Sequence, residues 1–239
     1  LVTGANGFIG KALCEDLSQS GYLVREAFRS DSSVVTAVES QVVGEINGET
    51  DWSEALRNID VVIHLAARVH VMDDQSADPL AEFRRVNVDG SLNLAKQAAR
   101  AGVKRLIYLS SVKVNGEYTL PGHPFKESNV ANPQDAYGLS KFEAEQALLL
   151  IAQDTVMEVV IIRPPLVYGQ GVKANFASMM RTVKRGVPLP LGAIHNRRSF
   201  VYLGNLVSLI TTCIHHPAAE NQVFLVSDGC DLSTTQLLQ

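Results

Sequence analysis

Three glycines spaced three residues apart open this chain and constrain its fold more than any other feature. The run Thr3-Gly4-Ala5-Asn6-Gly7-Phe8-Ile9-Gly10 follows a short apolar stretch and leads into a helical pattern over residues 8–19. At such a turn, glycine permits the sharp bend, lets a phosphate approach the backbone and lets the helix pack against the strand. Free N–H groups at the helix N-terminus would face that phosphate. The run predicts a dinucleotide-binding turn, and a glycine-rich turn that holds no ligand is the alternative.

Short apolar runs alternate with helical stretches from residue 1 to residue 163. The predicted strands span 1–3, 22–28, 42–43, 60–65, 105–110 and 156–163, and the predicted helices span 8–19, 80–101 and 135–152. This alternation predicts an α/β fold with a doubly wound parallel sheet, a Rossmann fold.

The character of the sequence changes after Pro164 and Pro165, where glycine, proline and basic residues become frequent. We therefore predict a dinucleotide-binding domain over residues 1–163 and a smaller C-terminal substrate lobe over residues 164–239. The apolar stretch at 223–226 is predicted to return to the main sheet. The chain begins without Met and stops inside a predicted helix, so we expect both of its ends to be truncated.

Composition excludes several classes of function. The net charge of −4 argues against a nucleic-acid binder, because neutralising phosphates requires clustered Lys and Arg. No apolar run approaches the roughly 18 residues of a membrane span. The 3 cysteines lack the spacing of a metal site or a redox pair, which favours a reducing, cytoplasmic location and no bound metal.

Tyr137 and Lys141 stand four residues apart in a predicted helix and would share one of its faces. A free Tyr titrates near 10, and a neighbouring ammonium favours the phenolate and lowers that pKa. The pair would then exchange a proton with a substrate hydroxyl while a hydride moves to or from a nicotinamide. Taken alone, Tyr137 would be a packed helix residue, and Ser110 and Ser111 would cap a strand end.

The order of several runs resembles that of the extended short-chain dehydrogenase/reductase superfamily, in its nucleotide-sugar-modifying branch. Besides the glycine turn, the resemblance rests on Asp60-Val-Val-Ile-His-Leu-Ala-Ala67, Asn87-Val-Asp-Gly-Ser-Leu-Asn-Leu94, Leu109-Ser-Ser-Val112, Tyr137 with Lys141, and Arg163-Pro-Pro-Leu-Val-Tyr-Gly169. It covers essentially the whole chain and implies NAD or NADP as cofactor, a UDP-linked sugar as substrate and a homodimer built on the helices near 80–101 and 135–152.

The resemblance also implies roles for individual residues. The catalytic set would be Ser111, Tyr137, Lys141 and Asn87. The cofactor would contact Gly4, Gly7, Phe8, Ile9, Gly10, Arg29, Glu45, Ile46, Leu65, Ala66, Ala67, Tyr137, Lys141 and Pro164. The substrate would contact Ser111, Asn175, Phe176, Arg198 and Phe200.

The end of the second strand bears on the choice between NAD and NADP. An acidic residue there binds the 2′-hydroxyl of the adenine ribose, whereas Arg accepts a 2′-phosphate. Phe28 occupies the position where an acid is usual, and Arg29 follows it. We therefore expect NADP to be preferred, the alternative being that Arg29 is a solvated loop charge.

The two residues directly after Ser111 narrow the range of reactions. Dehydratases of this branch usually carry an Asp-Glu pair there, but this chain has Val112 and Lys113. Two reactions remain open, epimerisation at a sugar C4 and reduction of a 4-keto sugar. Asn115, Leu166 and Arg29 depart from the usual epimerase pattern and favour the reductase. A cofactor-binding regulator without turnover is the alternative of a different class.

Overall fold

The computed structural model describes residues 1–30, 39–69, 76–172 and 196–237. Its main sheet has seven parallel strands in the order β3-β2-β1-β4-β5-β6-β9. These strands are β1 (Val2–Thr3), β2 (Arg25–Phe28), β3 (Glu39–Val42), β4 (Val61–His64), β5 (Arg105–Leu109), β6 (Glu158–Arg163) and β9 (Val223–Leu225). A second, two-stranded parallel sheet pairs β7 (Leu166–Tyr168) with β8 (Phe200–Tyr202). The predicted doubly wound parallel sheet is confirmed.

Six α-helices occur in the described part of the chain. They are α1 (Phe8–Gln19), α2 (Pro79–Phe83), α3 (Ser91–Arg100), α4 (Ala136–Asp154), α5 (Leu203–His215) and α6 (Thr234–Leu237). A π-helix, Arg84–Gly90, joins α2 to α3, and short 3₁₀ turns span Val112–Val114 and Pro217–Ala219. The single helix predicted over 80–101 is therefore three segments. The predicted end of the helix is confirmed, because Gly102 has a φ of 81° just beyond the last residue of α3.

Helices cover both faces of the sheet. On one face, Leu13 and Leu17 of α1 and Leu206 and Ile210 of α5 join a cluster with strand side chains. On the other face, α3 and α4 contribute Leu94, Ala98, Ala144 and Leu148 to a second cluster. Burial from both sides explains why the predicted strands are continuous apolar runs. No helix in the described ranges is both long and apolar enough to span a membrane.

The strand order predicts a ligand-binding crevice at the carboxyl ends of the central strands β1 and β4. The chain moves outward from β1 to β2 and β3, then returns to form β4 on the other side of β1. In open parallel sheets, ligands bind beyond the carboxyl ends of the strands where the order reverses in this way. Thr3 and His64 are the last residues of the two strands at that point and lie in register.

The division into a domain over 1–163 and a lobe from residue 164 stays a prediction. β9 lies beside β6 in the main sheet. Arg105, at the start of β5, donates to the carbonyls of Cys213, Ile214 and His216 at the end of α5. Segments beyond residue 164 are therefore integrated into the main sheet and its helical cover.

Candidate active site

The glycine turn lies between β1 and α1 and is packed too tightly for side chains. Gly4 has a φ of 69°, and a Cβ there would lie 2.9 Å from the backbone nitrogen of Ala66. A Cβ on Gly10 would lie 2.2 Å from the carbonyl oxygen of Gly4. Gly7 is the N-cap of α1 and makes no side-chain capping bond. The N–H groups at the start of the helix, from Phe8 to Gly10, are therefore available to a ligand at the glycine turn. This geometry suits an anionic group such as a diphosphate.

Ser111, Tyr137 and Lys141 come together at the carboxyl end of β5. Ser111 begins the 3₁₀ turn after that strand, and Tyr137 lies in the first turn of α4. The side chains of Ser111 and Tyr137 interact, and Ser111 lowers the pKa of Tyr137. Lys141 follows one turn later and is 1% exposed. Its Nζ lies 4.1 Å from the ring centroid of Tyr108, a buried residue of β5 that the sequence interpretation overlooked.

Burial dominates the ionisation of this pair. Although part of its surface reaches solvent, Tyr137 is packed densely enough that desolvation raises its pKa to about 12, and the interaction with Ser111 opposes this rise. Desolvation also lowers the pKa of Lys141 to about 7, against the attraction of Glu145. The expectation of a lowered Tyr137 pKa is therefore wrong for the protein alone, because burial outweighs the lowering by Ser111 and Lys113.

Asn87 ties two parts of the site together from the middle of the π-helix. Its Oδ1 accepts from the backbone N–H of Arg68 at 2.8 Å, and its Nδ2 donates to the Arg68 carbonyl at 3.0 Å and to Ser140 Oγ at 2.9 Å. Ser140 Oγ in turn donates to the Tyr137 carbonyl at 2.8 Å. Asn87 therefore fixes the segment after β4 against the catalytic helix, as a positioning residue would.

His64 supports the same π-helix from beneath. Ser91 Oγ donates to the Asn87 carbonyl at 2.6 Å, so it accepts from His64 Nε2 at 2.9 Å. The other ring nitrogen, Nδ1, accepts from the Thr3 hydroxyl at 2.6 Å. Burial, assisted by the charge of Lys141, lowers the His64 pKa to about 3. The imidazole is thus neutral, and both of its nitrogens are engaged.

A buried ion pair lies on the far side of Lys141. Arg163, the last residue of β6, donates from Nε to Glu145 Oε1 at 2.9 Å and from Nη2 to Oε2 at 2.5 Å. Its Nη1 donates to Asn115 Oδ1 at 3.1 Å, and Asn115 Nδ2 donates to the Lys126 carbonyl at 3.0 Å. Asn115, which departs from the usual epimerase pattern, is therefore part of the packing beneath the site. The sequence carried no local signal for this arrangement.

The remaining residues predicted to contact the cofactor follow the carboxyl ends of strands. Arg29 comes directly after β2 and is exposed. Glu45 is exposed and paired with Arg85 at 3.4 Å, whereas Ile46 is buried against Gly90. Leu65, Ala66 and Ala67 follow β4 and are half-buried, and Pro164 follows β6, where its carbonyl accepts from Val112 at 3.0 Å.

The donors at this edge fit a dinucleotide. Ser110 Oγ, next to Ser111, is buried and has no hydrogen-bond partner among the residues that the structure describes. Because an unsatisfied buried hydroxyl is unfavourable, a bound polar group would stabilise it. The glycine turn lacks the Cβ atoms that would keep a diphosphate away from its backbone. These features suit NAD or NADP. No group of side chains that could hold a metal ion occurs within the described ranges.

The residues predicted to contact the substrate are only partly visible. Asn175 and Phe176 lie outside the described residues. Arg198 is exposed, and its backbone pairs with Leu232 in an antiparallel bridge. Phe200 is 4% exposed and packs edge-on against Tyr168, with ring centroids 6.3 Å apart. Phe200 is thus a core residue of the small sheet, and its contact with a uridine stays a hypothesis.

Comparison with known proteins gives one family. A protein of Vibrio cholerae named UDP-glucose 4-epimerase is 54% identical over 241 residues, which cover 100% of this chain and 73% of that protein. An N-acetyl-alpha-D-glucosaminyl-diphospho-ditrans,octacis-undecaprenol 4-epimerase of Escherichia coli O157:H7 is 30% identical over 240 residues, which cover 100% of this chain and 70% of that protein.

A solved structure is similar over the same extent. MoeE5 in complex with UDP-glucose and NAD superimposes with a TM-score of 0.84 and 27% identity, covering 99% of this chain and 78% of MoeE5. The sequence profile of the NAD dependent epimerase/dehydratase family matches residues 1–227. With its glycine turn, its Ser-Tyr-Lys set and this match, the chain belongs to the NAD dependent epimerase/dehydratase family.

Proposed function

We propose that this protein is a nucleotide-sugar 4-epimerase that acts on a UDP-hexose with NAD. The observation that carries the proposal is the grouping of Ser111, Tyr137 and Lys141 at the carboxyl end of β5, with Lys141 one helical turn after Tyr137. Two relatives that match the whole chain are named 4-epimerases, which supports the same reaction. MoeE5, which is similar throughout, is solved with UDP-glucose and NAD.

The residues present divide the work of such a reaction. The glycine turn and the first turn of α1 would hold the cofactor diphosphate. Tyr137 would take the proton of the sugar C4 hydroxyl, and Ser111 would hold the same oxygen by a hydrogen bond. Bound NAD supplies the hydride acceptor, and afterwards the hydride donor, at that carbon. After the ketone presents its other face, Tyr137 would return the proton, so the step involves no net oxidation.

Lys141 has a particular part in this proposal. Burial lowers its pKa to about 7, which weakens its hold on a proton at neutral pH, and the pKa of Tyr137 is about 12. A phenolate at Tyr137 therefore needs additional positive charge nearby, and oxidised nicotinamide carries one. We expect NAD binding to lower the Tyr137 pKa and to make this pair active only in the loaded protein.

We propose NAD as the cofactor. The expectation of NADP rested on Arg29, which is exposed beyond β2, and the family and MoeE5 are associated with NAD. Isothermal titration with each dinucleotide tests the choice. If Arg29 binds a 2′-phosphate, Arg29→Ala should weaken NADP binding and leave NAD binding unchanged. A wild-type preference for NADP that Arg29→Ala abolishes would contradict our choice.

Product analysis with and without NADPH tests the reaction itself. We expect UDP-glucose and UDP-galactose, or their N-acetylated forms, to interconvert without net consumption of a reduced cofactor. Tyr137→Phe should abolish turnover and leave NAD binding nearly intact. Tyr22→Phe is a matched control, because Tyr22 stacks on His215 with ring centroids 5.7 Å apart and is not in the site.

A net 4-keto reductase is the second candidate, favoured by Leu166 at a position that departs from the usual epimerase pattern. Stoichiometric NADPH consumption with a UDP-4-keto-6-deoxy sugar, without interconversion of UDP-hexoses, would establish it. Bound cofactor with no reaction on any sugar nucleotide would instead favour a regulator without turnover. The homodimer, which light scattering tests, and the cytoplasmic location both stay predictions.

A further inference from the structure

A single carboxylate connects the start of the catalytic helix to the turn that carries Ser111. Asp135 is the N-cap of α4, and its Oδ1 accepts from the backbone N–H of Gly138 at 2.6 Å. Its other oxygen, Oδ2, accepts from Lys113 Nζ at 2.5 Å. Lys113 lies two residues after Ser111, and Tyr137 lies two residues after Asp135. The ion pair therefore spans the gap between the two residues that would hold the substrate oxygen.

The backbone of Lys113 takes part in the same junction. Its N–H donates to Ser111 Oγ at 3.2 Å. Its carbonyl lies so near α4 that a Cβ on Gly138 would come within 2.9 Å of the oxygen. The Val114 carbonyl accepts from the Asn132 N–H at 2.9 Å, which adds a second link between the turn and the segment before α4. Side chain, N–H and carbonyl of Lys113 thus all lie between Ser111 and the helix of Tyr137.

The two charges of the pair act on Tyr137 in opposite directions. Lys113 lowers the pKa of Tyr137, whereas Asp135 raises it. The ion pair is only partly shielded from solvent, since the side chains of Lys113 and Asp135 are 37% and 32% exposed. Among the described residues, the charged or titratable groups around Tyr137 and the pair include Lys141 on α4 and Tyr108 on β5. They also include Glu117, which is bonded to Lys113, and Arg68, which stacks over the Phe83 ring that packs against Tyr137.

We infer that Lys113 is a positioning residue for the Ser111–Tyr137 pair. Lys113 holds the start of α4 against the turn and offsets the negative charge of Asp135. The inference rests on the proposed function in one respect, that Tyr137 exchanges the substrate proton. Without Lys113, the Asp135 carboxylate would remain next to Tyr137 and disfavour its phenolate. The 3₁₀ turn would also lose its side-chain link to the helix.

The charges can be removed one at a time. Lys113→Met should move the acidic limb of the pH profile of kcat/KM to higher pH by about one unit, since the charge of Lys113 then no longer offsets that of Asp135. We expect kcat to fall by about 10-fold while KM changes less, because the proton transfer is affected more than binding. Asp135→Asn should move the limb to lower pH, and its Oδ1 still accepts from Gly138, so the helix keeps its cap.

The double variant Lys113→Met/Asp135→Asn separates charge from fold. Its acidic limb should return to within a few tenths of a unit of the wild type, because the two charge effects cancel. Lys113→Arg should retain most of kcat. Glu117→Gln, which removes only the more exposed partner of Lys113, should leave the profile unchanged. A limb that does not move in Lys113→Met, or a double variant that stays displaced, would overturn the inference.

A spectroscopic titration keeps the inference separate from the proposed function. In the NAD-loaded protein, the tyrosinate absorbance lost in Tyr137→Phe reports the ionisation of Tyr137 alone. We expect this ionisation to move to higher pH in Lys113→Met and to lower pH in Asp135→Asn, whether or not any UDP-sugar reacts. Shifts without turnover would support the inference and refute the 4-epimerase. Turnover of a UDP-hexose with no shift in either variant would refute the inference and support the 4-epimerase.

Discussion

Two buried cations, Lys141 on helix α4 and Arg163 beside it, differ in the groups that surround their charges. Arg163 is bound by both oxygens of Glu145 and by Asn115. Lys141 is also buried, but in the described part of the chain its ammonium lies over the ring of Tyr108. Glu145 lies one turn after Lys141, at the spacing of a helical ion pair, but its oxygens are directed to Arg163.

The difference separates a structural charge from a functional one. A buried cation is tolerated when its hydrogen bonds are satisfied, and Arg163 meets that condition. Lys141 has no ion pair among the described residues, and burial lowers its pKa to about 7. The fold therefore leaves one cation poorly compensated at the cofactor edge, where a bound ligand can supply the missing interactions. Four substitutions test this comparison, beginning with the largest expected effect.

Removing the charge of Glu145 should break the well-satisfied site. Glu145→Gln leaves Arg163 buried without its counter-charge, so we expect the free energy of unfolding to fall by about 3–5 kcal/mol. Urea denaturation followed by circular dichroism measures this. Glu143→Gln on the same helix is the matched control, because its partnership with Arg84 is more exposed and should contribute less than about 1 kcal/mol. Equal losses in the two variants would mean that burial does not distinguish the pairs.

Removing the charge of Lys141 should have the opposite effect on stability. Lys141→Met is expected to abolish turnover while raising the free energy of unfolding at pH 7 by about 1–4 kcal/mol. The unfolded chain keeps the Lys141 proton up to about pH 10.5, and the folded protein releases it above about pH 7. Wild-type stability should therefore rise with pH across that window, and the rise should be smaller in the variant. A destabilised Lys141→Met would contradict the comparison.

His64 extends the comparison to a buried group that stays neutral. Its pKa is about 3 when folded against 6.5 in the unfolded chain, so the unfolded chain binds the extra proton between these values. The free energy of unfolding should therefore fall as the pH drops below 6.5, by up to about 1.4 kcal/mol per unit from this residue. His64→Gln should flatten that part of the profile in urea denaturation series. An unchanged slope would show that His64 is not the group responsible.

Asn115 gives the smallest effect. Asn115→Ala removes one hydrogen bond to Arg163 and one to the Lys126 carbonyl, but leaves the contacts with Glu145 in place. We expect a loss of about 1–3 kcal/mol in the free energy of unfolding and little change in kcat. The same urea series measures the first value. A large fall in kcat with unchanged stability would place Asn115 in the reaction and not in the packing.

The fold and the main site were predictable because their signals are local. A glycine turn, alternating apolar runs and a Tyr four residues before a Lys each lie within a short stretch of sequence. The pair of Arg163 and Glu145 has no such signal, since an isolated Glu on a helix is usually exposed. The partnership of Lys113 with Asp135 is similarly hidden, because only the folded chain brings the two together.

Two errors have the same origin. The direction of the Tyr137 pKa was wrong because the number of atoms packed around a ring cannot be counted from the sequence. The helix predicted over 80–101 was not divided, although the π-helix at Arg84–Gly90 places Asn87 against both Arg68 and Ser140. π-Helical turns are often found at functional sites and depend on tertiary contacts that helical periodicity does not report.

The position of β9 has a consequence for biosynthesis. This strand completes the sheet beside β6, yet it is the last of the seven to leave the ribosome. Until it arrives, β6 presents an apolar edge with unpaired backbone groups. Contacts between segments so distant in sequence form slowly. The β6 edge is therefore the surface at which unfinished chains would aggregate or recruit a chaperone.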